Sequence, residues 1–577
     1  DTAEFAKADG WQGEEGYFKA KYREVYVSRN GLSDMFSEHT EKIVKVNTDD
    51  YTVSTIQYVD GLVNIENKDA SKQTEYYLFA WREGDTIKWW TDADVAILDA
   101  NLKNMFNGNY KNNIVSFDFS GFDVRDVTGL NETFSNCKNL ESVTFGNMFY
   151  ADKLQNTYRM FGSCEKLKSV DMTDLHAGSG SLTNVKNMFE NCYSLEDLTF
   201  ASDFDTSNVT STNSMFFNCR ALKSIDVSSF DFAKVTDAYR TFSGLNEVTS
   251  ITLPQVCDLQ NCTTMCAMFE KCYKLETLDL SCIKTSNKLT NLSYTFNESK
   301  ALKNIDLSGW NISAVTNYKC TFRNCEDLES IVMKGGKSQG TDRGNLFAGC
   351  KGGEAGVIKI KLEDWNFQAS NHVGEFISTC TIPLVDYDIS GSNMNNSTSF
   401  ANLVKNRTNM KLRSIDLSGL KNVGKVTSME SAFSKCNYLE SVEFGDFDLS
   451  FVTNFREMFN TCSSLESVDL SGVTNNRVDT VYWMFLNCSS LKTVDFGNIS
   501  FENLNTATNA FSGCGELTTV YVSDSYKLKS GVNNQDMFAN NNKLKGSAGT
   551  EYSNSKKKAI YAWPDGKDGR EGYFTIR

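Results

Sequence analysis

Cysteine recurs in this chain at a spacing that invites a chemical reading. Eleven of the seventeen cysteines stand three residues after a phenylalanine, as in Phe189/Cys192, Phe216/Cys219, Phe269/Cys272, Phe459/Cys462 and Phe485/Cys488. A nucleophilic thiol needs one partner base in one place. The chain holds three histidines, His39, His176 and His372, and none recurs with the cysteines. Eleven thiols in one column therefore read as small buried side chains with a weak donor. A ladder of disulfides is disfavoured, because side chains stacked in one direction do not easily reach the disulfide torsion. Six cysteines lie outside the column: Cys257, Cys262, Cys266, Cys282, Cys320 and Cys380. Four of them crowd into 257–282, where zinc binding, one local disulfide and plain burial all compete. The spacing is not the paired CxxC pattern that a zinc knuckle uses. An odd total leaves at least one thiol unpaired within the chain.

A column of residues needs a scaffold that repeats, so a fixed period is the next thing to seek. Phenylalanines from Phe106 to Phe538 mark seventeen registers, with steps mostly of 26 to 28 residues. The irregular steps flank Phe400, and 403–410 reads as an insertion. Six residues after most of these Phe lies a leucine, as in Leu140, Leu195 and Leu465, and then a segment such as "SVDLS". That segment alternates apolar and polar with period two. It predicts a short strand with Val and Leu inward and Asp and Ser outward. A turn rich in Asp, Ser and Asn follows, then a second apolar piece around Val209, Val235 or Val315, and the next "MF" closes the coil. One such coil cannot bury its apolar face alone. Stacking buries it, so stability becomes roughly a sum of nearest-neighbour terms. The fold expected is a repeat solenoid, a right-handed coil of about 16 units of 26–28 residues with short parallel strands and a Phe spine. A small β-rich N-terminal region precedes it.

The outward strand positions are the natural binding surface of such an array. In one column they read Asp118, Thr144, Asp171, Thr199, Asp226, Thr252, Asp279, Asp306, Val332, Lys359, Asp386, Asp416, Glu443, Asp469, Asp495 and Tyr521. Asp416, Glu443, Asp469 and Asp495 are expected on adjacent coils. Unit charges ~5 Å apart repel by roughly 3 kcal/mol at an effective dielectric of 20. The stripe either solubilises its face, with water and nearby lysines relieving the repulsion, or receives a cation such as Ca²⁺ or a basic partner. No cofactor is otherwise implied. The sequence carries no phosphate-binding glycine loop, zinc-protease motif or serine-nucleophile elbow.

Net charge is −15, which argues against nucleic acid or an anionic membrane as partner. No stretch approaches the ~20 apolar residues of a membrane-spanning helix. The expected organisation is 1–18, the tail of a preceding repeat unit or a cap; 19–100, a β-rich region or cap; 101–545, the solenoid; and 546–577, a C-terminal cap. "AEFAKADGWQGEEGYF" (3–18) aligns without a gap on "AIYAWPDGKDGREGYF" (559–574), which suggests a chain cut from a longer protein, with signal and anchor elsewhere. The alternative is that 1–18 caps the other end of this array.

The repeat phrase MFxNCxxLxxVDLSxFDxSxVTxM resembles that of the BspA-like leucine-rich-repeat bacterial surface proteins, and the closing "AIYAWPDGKDGREGYFTIR" resembles the end of their arrays. The resemblance spans 101–577. Registers at Phe347 and Phe376 depart from it, in "GVIKIKLEDW" and "FISTCTIPLVDYDIS". It implies extracellular display and non-enzymatic adhesion to a protein or glycan ligand on host or neighbouring cells, by a monomer. Two other readings stand beside it. One is a structural stalk that projects a binding domain. The other is a solenoid enzyme acting on polysaccharide, for which Lys359, Lys361, Asp364, Trp365 and His372 in the irregular region 334–410 are the candidate cluster.

Overall fold

A computed structural model describes residues 12–14, 17–19, 23–27, 41–65, 72–106, 113–146, 150–338, 340–380, 383–405, 411–532 and 536–577. His39, most of 1–18 and the second half of the 403–410 insertion lie outside the described residues. The chain is a parallel β-solenoid that divides into two units, Asp1–Leu275 and Glu276–Arg577.

In the first unit the N-terminal strands join the first coils directly. Lys42–Lys45 lies between Thr86–Thr91 and Ser116–Asp118, parallel to both, and Leu78–Glu83 adds an antiparallel edge to Thr86–Thr91. Glu24–Val27 pairs in parallel with Val95–Leu98, which pairs with Phe122–Asp123. Trp81 and Trp90 pack with Ile56 beneath this region. Further along, Ser142–Thr144, Ser169–Met172, Asp197–Phe200 and Ser224–Asp226 are the short strands of successive coils. Val143, Val170 and Ile225 are buried and their neighbours exposed, as the alternation requires.

The second unit carries two longer parallel sheets. One orders Asn304–Leu307, Ser330–Lys334, Val357–Glu363, Leu384–Asp388, Leu412–Asp416 and Ser441–Glu443. The other orders Ser467–Asp469, Thr493–Asp495, Thr519–Val522 and Phe574–Ile576, so the chain's last strand closes the sheet.

The phenylalanine corner explains much of the repeat. In most coils the residues two before and two after the Phe sit in the left-handed region: Glu132 (φ 60°) and Asn136 (62°) around Phe134, Glu457 (55°) and Thr461 (62°) around Phe459, Trp483 (56°) and Asn487 (58°) around Phe485. Asn tolerates this conformation better than most residues, which accounts for its frequency after "MFx". At Gly513 (φ 78°) a Cβ would meet only the movable Asn487 Oδ1 at 2.5 Å, so glycine there serves the backbone conformation. The consequence is a hydrogen-bond ladder with one sense. Glu132, Phe134 and Asn136 donate their N–H groups to the carbonyls of Tyr158, Met160 and Gly162 one coil on. In the second unit Glu457, Phe459 and Thr461 donate likewise to Tyr482, Met484 and Leu486. The residues between them close tight turns within their own coil, as Cys137 N–H does onto Phe134 O.

The rings stack. Phe134, Phe161, Phe189, Phe216, Phe242 and Phe269 follow one another at 5.4–5.9 Å with planes within 12°. Phe433, Phe459, Phe485, Phe511 and Phe538 do so at 5.1–5.6 Å. The expected spine is corrected between them. Phe376 turns edge-on to Phe347 and to Trp365, and Phe400 packs edge-on against Phe447. At Phe376 the tight corner is replaced by a helical turn, His372–Phe376, which rotates the ring out of the stack.

Three further corners of the coil are made by side chains. Asp118, Asp226, Asp306, Asp416 and Asp469 each accept the backbone N–H two residues on, at 2.8 Å. Asp123, Asp231 and Asp448 repeat the device at the following bend. Asn156, Asp237 and Asn454 do so at the corner that leads into "MF". Each such turn satisfies a backbone donor that the bend would otherwise leave open.

At the C-terminal end the forward-pointing donors of the last Phe corner are taken up by the closing segment. Phe538 N–H donates to Lys557 O and Asn540 N–H to Tyr552 Oη, both at 2.9 Å.

Candidate functional site

All seventeen cysteines are thiols. Those of the column are buried, and from Cys164 onward they point their sulfurs at the preceding coil. Cys164 donates to Phe134 O, Cys192 to Phe161 O and Cys219 to Phe189 O at 3.1 Å; Cys462 donates to Phe433 O at 3.1 Å and Cys488 to Phe459 O at 3.0 Å. The carbonyl that receives the thiol belongs to the stacked Phe itself, so Cys fills space and supplies a donor at the same point. Burial pushes the Cys272 and Cys350 thiols up to about 12 and raises Cys462 well above its ordinary value. A thiol held protonated is a poor nucleophile and a poor metal ligand. Among the described residues no group of three or more His, Cys, Asp or Glu side chains is arranged to hold a metal ion. Cys257 and Cys262 are buried, while Cys266 and Cys282 are half-buried.

The irregular region does not assemble the candidate catalytic cluster. Trp365 is fully buried, packed against Phe376 and Tyr318. Lys359 and Lys361 are exposed on the strand face, and Lys361 pairs with Glu363 at 2.8 Å. Asp364 pairs with Lys421 at 2.6 Å. His372 Nδ1 lies 2.9 Å from Ser338 Oγ, but Ser338 is buried and also accepts Gln368 N–H. These five residues therefore serve separate local contacts.

The outward strand face is where the chain differs most from a uniform repeat. The ladder runs Asp306, Val332, Lys361, Asp388, Asp416, Glu443. Lys361 and Asp388 thus occupy the column where the spacing placed Lys359 and Asp386. Extra residues before the strand, with Gly352, Gly353 and Gly356 all at positive φ, shift the register by two. Asp386 instead receives both Arg413 and Ser414. Its carboxylate takes Arg413 Nε at 2.8 Å, Arg413 Nη2 and Ser414 Oγ at 2.8 Å. Burial pushes Asp386 up, but these partners outweigh it and leave the group below its ordinary value. Lys361 is raised, first by its bond to Glu363 and also by Asp388 and Asp416.

The acidic stripe is two pairs. Asp416 faces Glu443, and Asp469 faces Asp495. Between the pairs the strands Ser441–Glu443 and Ser467–Asp469 belong to different sheets, and a groove of about 390 Å³ opens, lined by 442–449 and 469–474. The four acids lie on successive coils, with the strand hydrogen bonding interrupted between the two pairs. All four carboxylates accept the N–H two residues on: Ser418, Gly445, Ser471 and Gly497 at 2.8–3.0 Å. Asp469 is held below its ordinary value chiefly by the Ser471 hydrogen bonds. Asp495 is 6% exposed and pairs with Arg577. The 82 residues between Arg577 and Asp495 gave no sequence signal of this pair. Arg413, two residues before the strand's buried Ile415, is signalled only by its basic type in a column otherwise polar.

A shallow depression of about 490 Å³ lies on this face of the six-stranded sheet. Lys359 and Lys361 stand on one side, and Asp388, Asp416 and Glu443 on the other, over buried Ile360 and Ile415. It is open, bipolar and without a group whose chemistry is activated.

Stacked coils of one short parallel strand each, with leucine-rich apolar columns, define a leucine-rich-repeat-type solenoid. The family model for "Mycoplasma protein of unknown function, DUF285" matches residues 83–175, 158–252, 250–359 and 398–524, well over half of the chain, and the chain belongs to that family. No curated protein matches it in sequence. Among solved structures, one in "Structure of the Toll - Spatzle complex, a molecular hub in Drosophila development and innate immunity" is 12% identical with a TM-score of 0.26; the match covers 75% of this chain and 57% of that one. A chain of the "TLR13-ssRNA13 complex" is 14% identical with a TM-score of 0.21, covering 78% and 79%. No described helix is long and apolar enough to cross a membrane.

Proposed function

We propose that this chain is a non-enzymatic binding array of the BspA-like kind, displayed on a cell surface, that holds a protein ligand across the strand face of its second unit. The observation that carries the reading is the depression over Lys359, Lys361, Asp388, Asp416 and Glu443. Here, as elsewhere in the outward column, the acids serve backbone turns, but Lys359 and Lys361 set positive charge beside them over a contiguous sheet. Such a patch favours a partner of complementary charge pattern and rejects uniformly charged ones. An extended concave or flat face is what solenoids offer to proteins. The test is a binding array of matrix and cell-surface proteins and glycans, probed with the parent chain and with Lys359→Glu/Lys361→Glu. The reading expects a protein ligand whose binding the double variant loses while its unfolding midpoint stays unchanged. Binding that the variant retains would move the site elsewhere. A parent chain that binds nothing would leave the spacer reading in its place.

A further inference from the structure

We infer that Lys425, Phe451 and Arg477 form a docking site for an anionic polysaccharide laid along the coils, separate from the strand face. All three stand in one column of the second unit. Each lies two residues before a point where consecutive coils are joined: Thr453 N–H donates to Thr427 O at 3.0 Å, and Asp479 N–H donates to Thr453 O at 2.9 Å. The column is therefore in register, and its first and third members are two coils, about 10 Å, apart. Lys425 and Arg477 are exposed, and Phe451 is half-buried. The Lys425 ammonium comes to 4.6 Å from the centre of the Phe451 ring and the Arg477 guanidinium to 4.9 Å, one from the preceding coil and one from the following.

Elsewhere in the same column the amines meet a polar partner one coil away. Lys153 pairs with Asp126 at 2.6 Å, and Lys234 donates to Asn208. Among the described residues, no carboxylate pairs with Lys425 or Arg477. An aromatic face attracts a cation without neutralising it. Two positive charges are thus held at a fixed interval, each still open to an anion, and the ring edge between them carries the positive end of the quadrupole. The surroundings narrow the class of anion. Asp448 precedes Phe451 by three residues, Asp479 follows Arg477 by two, and both are exposed. They oppose a broad polyanion such as duplex DNA, as does the net charge of −15. The same carboxylates accept hydroxyl donors. A pyranose unit is about as long as the coil spacing. A polysaccharide with one carboxylate or sulfate on every second sugar therefore sets charge at the interval of the two cations and turns hydroxyls towards the acids.

The experiment is equilibrium binding of the full chain to immobilised hyaluronan and chondroitin sulfate, with dextran as the uncharged probe and duplex DNA as the unrelated polyanion. Lys425→Gln/Arg477→Gln removes the site's charges. Lys153→Gln/Lys234→Gln removes two charges from the same column where partners already hold them. The parent is expected to bind at least one anionic polysaccharide, more tightly than DNA, and to leave dextran free. The first double variant should lose roughly fivefold or more in affinity and the second less than about twofold. Phe451→Leu, which keeps the net charge but releases both side chains, should weaken binding in the same direction. Lys425→Gln alone, read in the same way, decides the matter should the double variant lower the unfolding midpoint. A parent that binds neither anionic polysaccharide, DNA bound as tightly as they are, or equal losses in the two double variants would overturn the inference.

Discussion

Removing one ring from the spine should open the array locally. Phe485 is fully buried, 5.4 Å from Phe459 and 5.1 Å from Phe511, with planes within 15° of both. Phe485→Ala deletes that ring and leaves a cavity that two rigid neighbours cannot fill, at a cost of about 3–5 kcal/mol. In a solenoid this cost falls on the coils that share the interface. The backbone ladder there includes Phe459 N–H to Met484 O and Phe485 N–H to Ala510 O. Exchange of these two amides should therefore accelerate by roughly two to three and a half orders of magnitude, at about 1.4 kcal/mol per tenfold. The strands Ser330–Lys334 and Val357–Glu363, several coils away, should keep their parent rates. Phe485→Leu, which retains most of the bulk, should cost about 1–2 kcal/mol at the same amides. Acceleration spread evenly over the second unit, or below tenfold at Phe459 and Phe485, would refute the nearest-neighbour reasoning.

Other outcomes follow from the same geometry. Cys272 and Cys350 are pushed up to about 12 by burial from an ordinary value of 9.0, so unfolding releases their protons at alkaline pH. Stability should be flat below about pH 9 and then fall towards pH 12 by roughly 1.4 kcal/mol per pH unit for each thiol exposed together; urea midpoints between pH 8 and 11 check this, and a flat profile would contradict it. Ellman's reagent should react first with half-buried Cys266 and Cys282, and with the column only after denaturation. Thr461 is β-branched at φ 62°, so Thr461→Asn or Thr461→Gly should raise stability by about 0.5–1 kcal/mol in urea melts. Asp469 and Asp495 already serve backbone N–H groups and Arg577, so millimolar calcium should shift the melting temperature of the parent and of Asp469→Asn/Asp495→Asn equally. A larger shift in the parent would restore the stripe as a cation site.

The repeat and its Phe spine were legible because a single period carries several columns at once, and the period survives point variation. The departures were legible only as places. The odd steps around Phe400 marked the interruption of the stack, but that Phe376 would turn edge-on follows from the turn His372–Phe376, which the local sequence does not announce. The register of Lys361 and Asp388 depended on how the glycines at 352, 353 and 356 spend the chain, which column counting cannot foresee. The acids looked like a ligand stripe because their partners are backbone amides two residues away, and any residue supplies one. Arg577 meets Asp495 across the closing strand, a contact set by the cap rather than by the repeat.

The one-way ladder at the phenylalanine corner has a consequence for assembly. The coils there offer donors forward and acceptors backward, so this corner column ends in N–H groups at one extremity and in carbonyls at the other. Two arrays brought together at matching extremities would oppose like groups. Only head-to-tail apposition satisfies both, and whatever terminates the donor extremity must bring oxygens, as Lys557 and Tyr552 do.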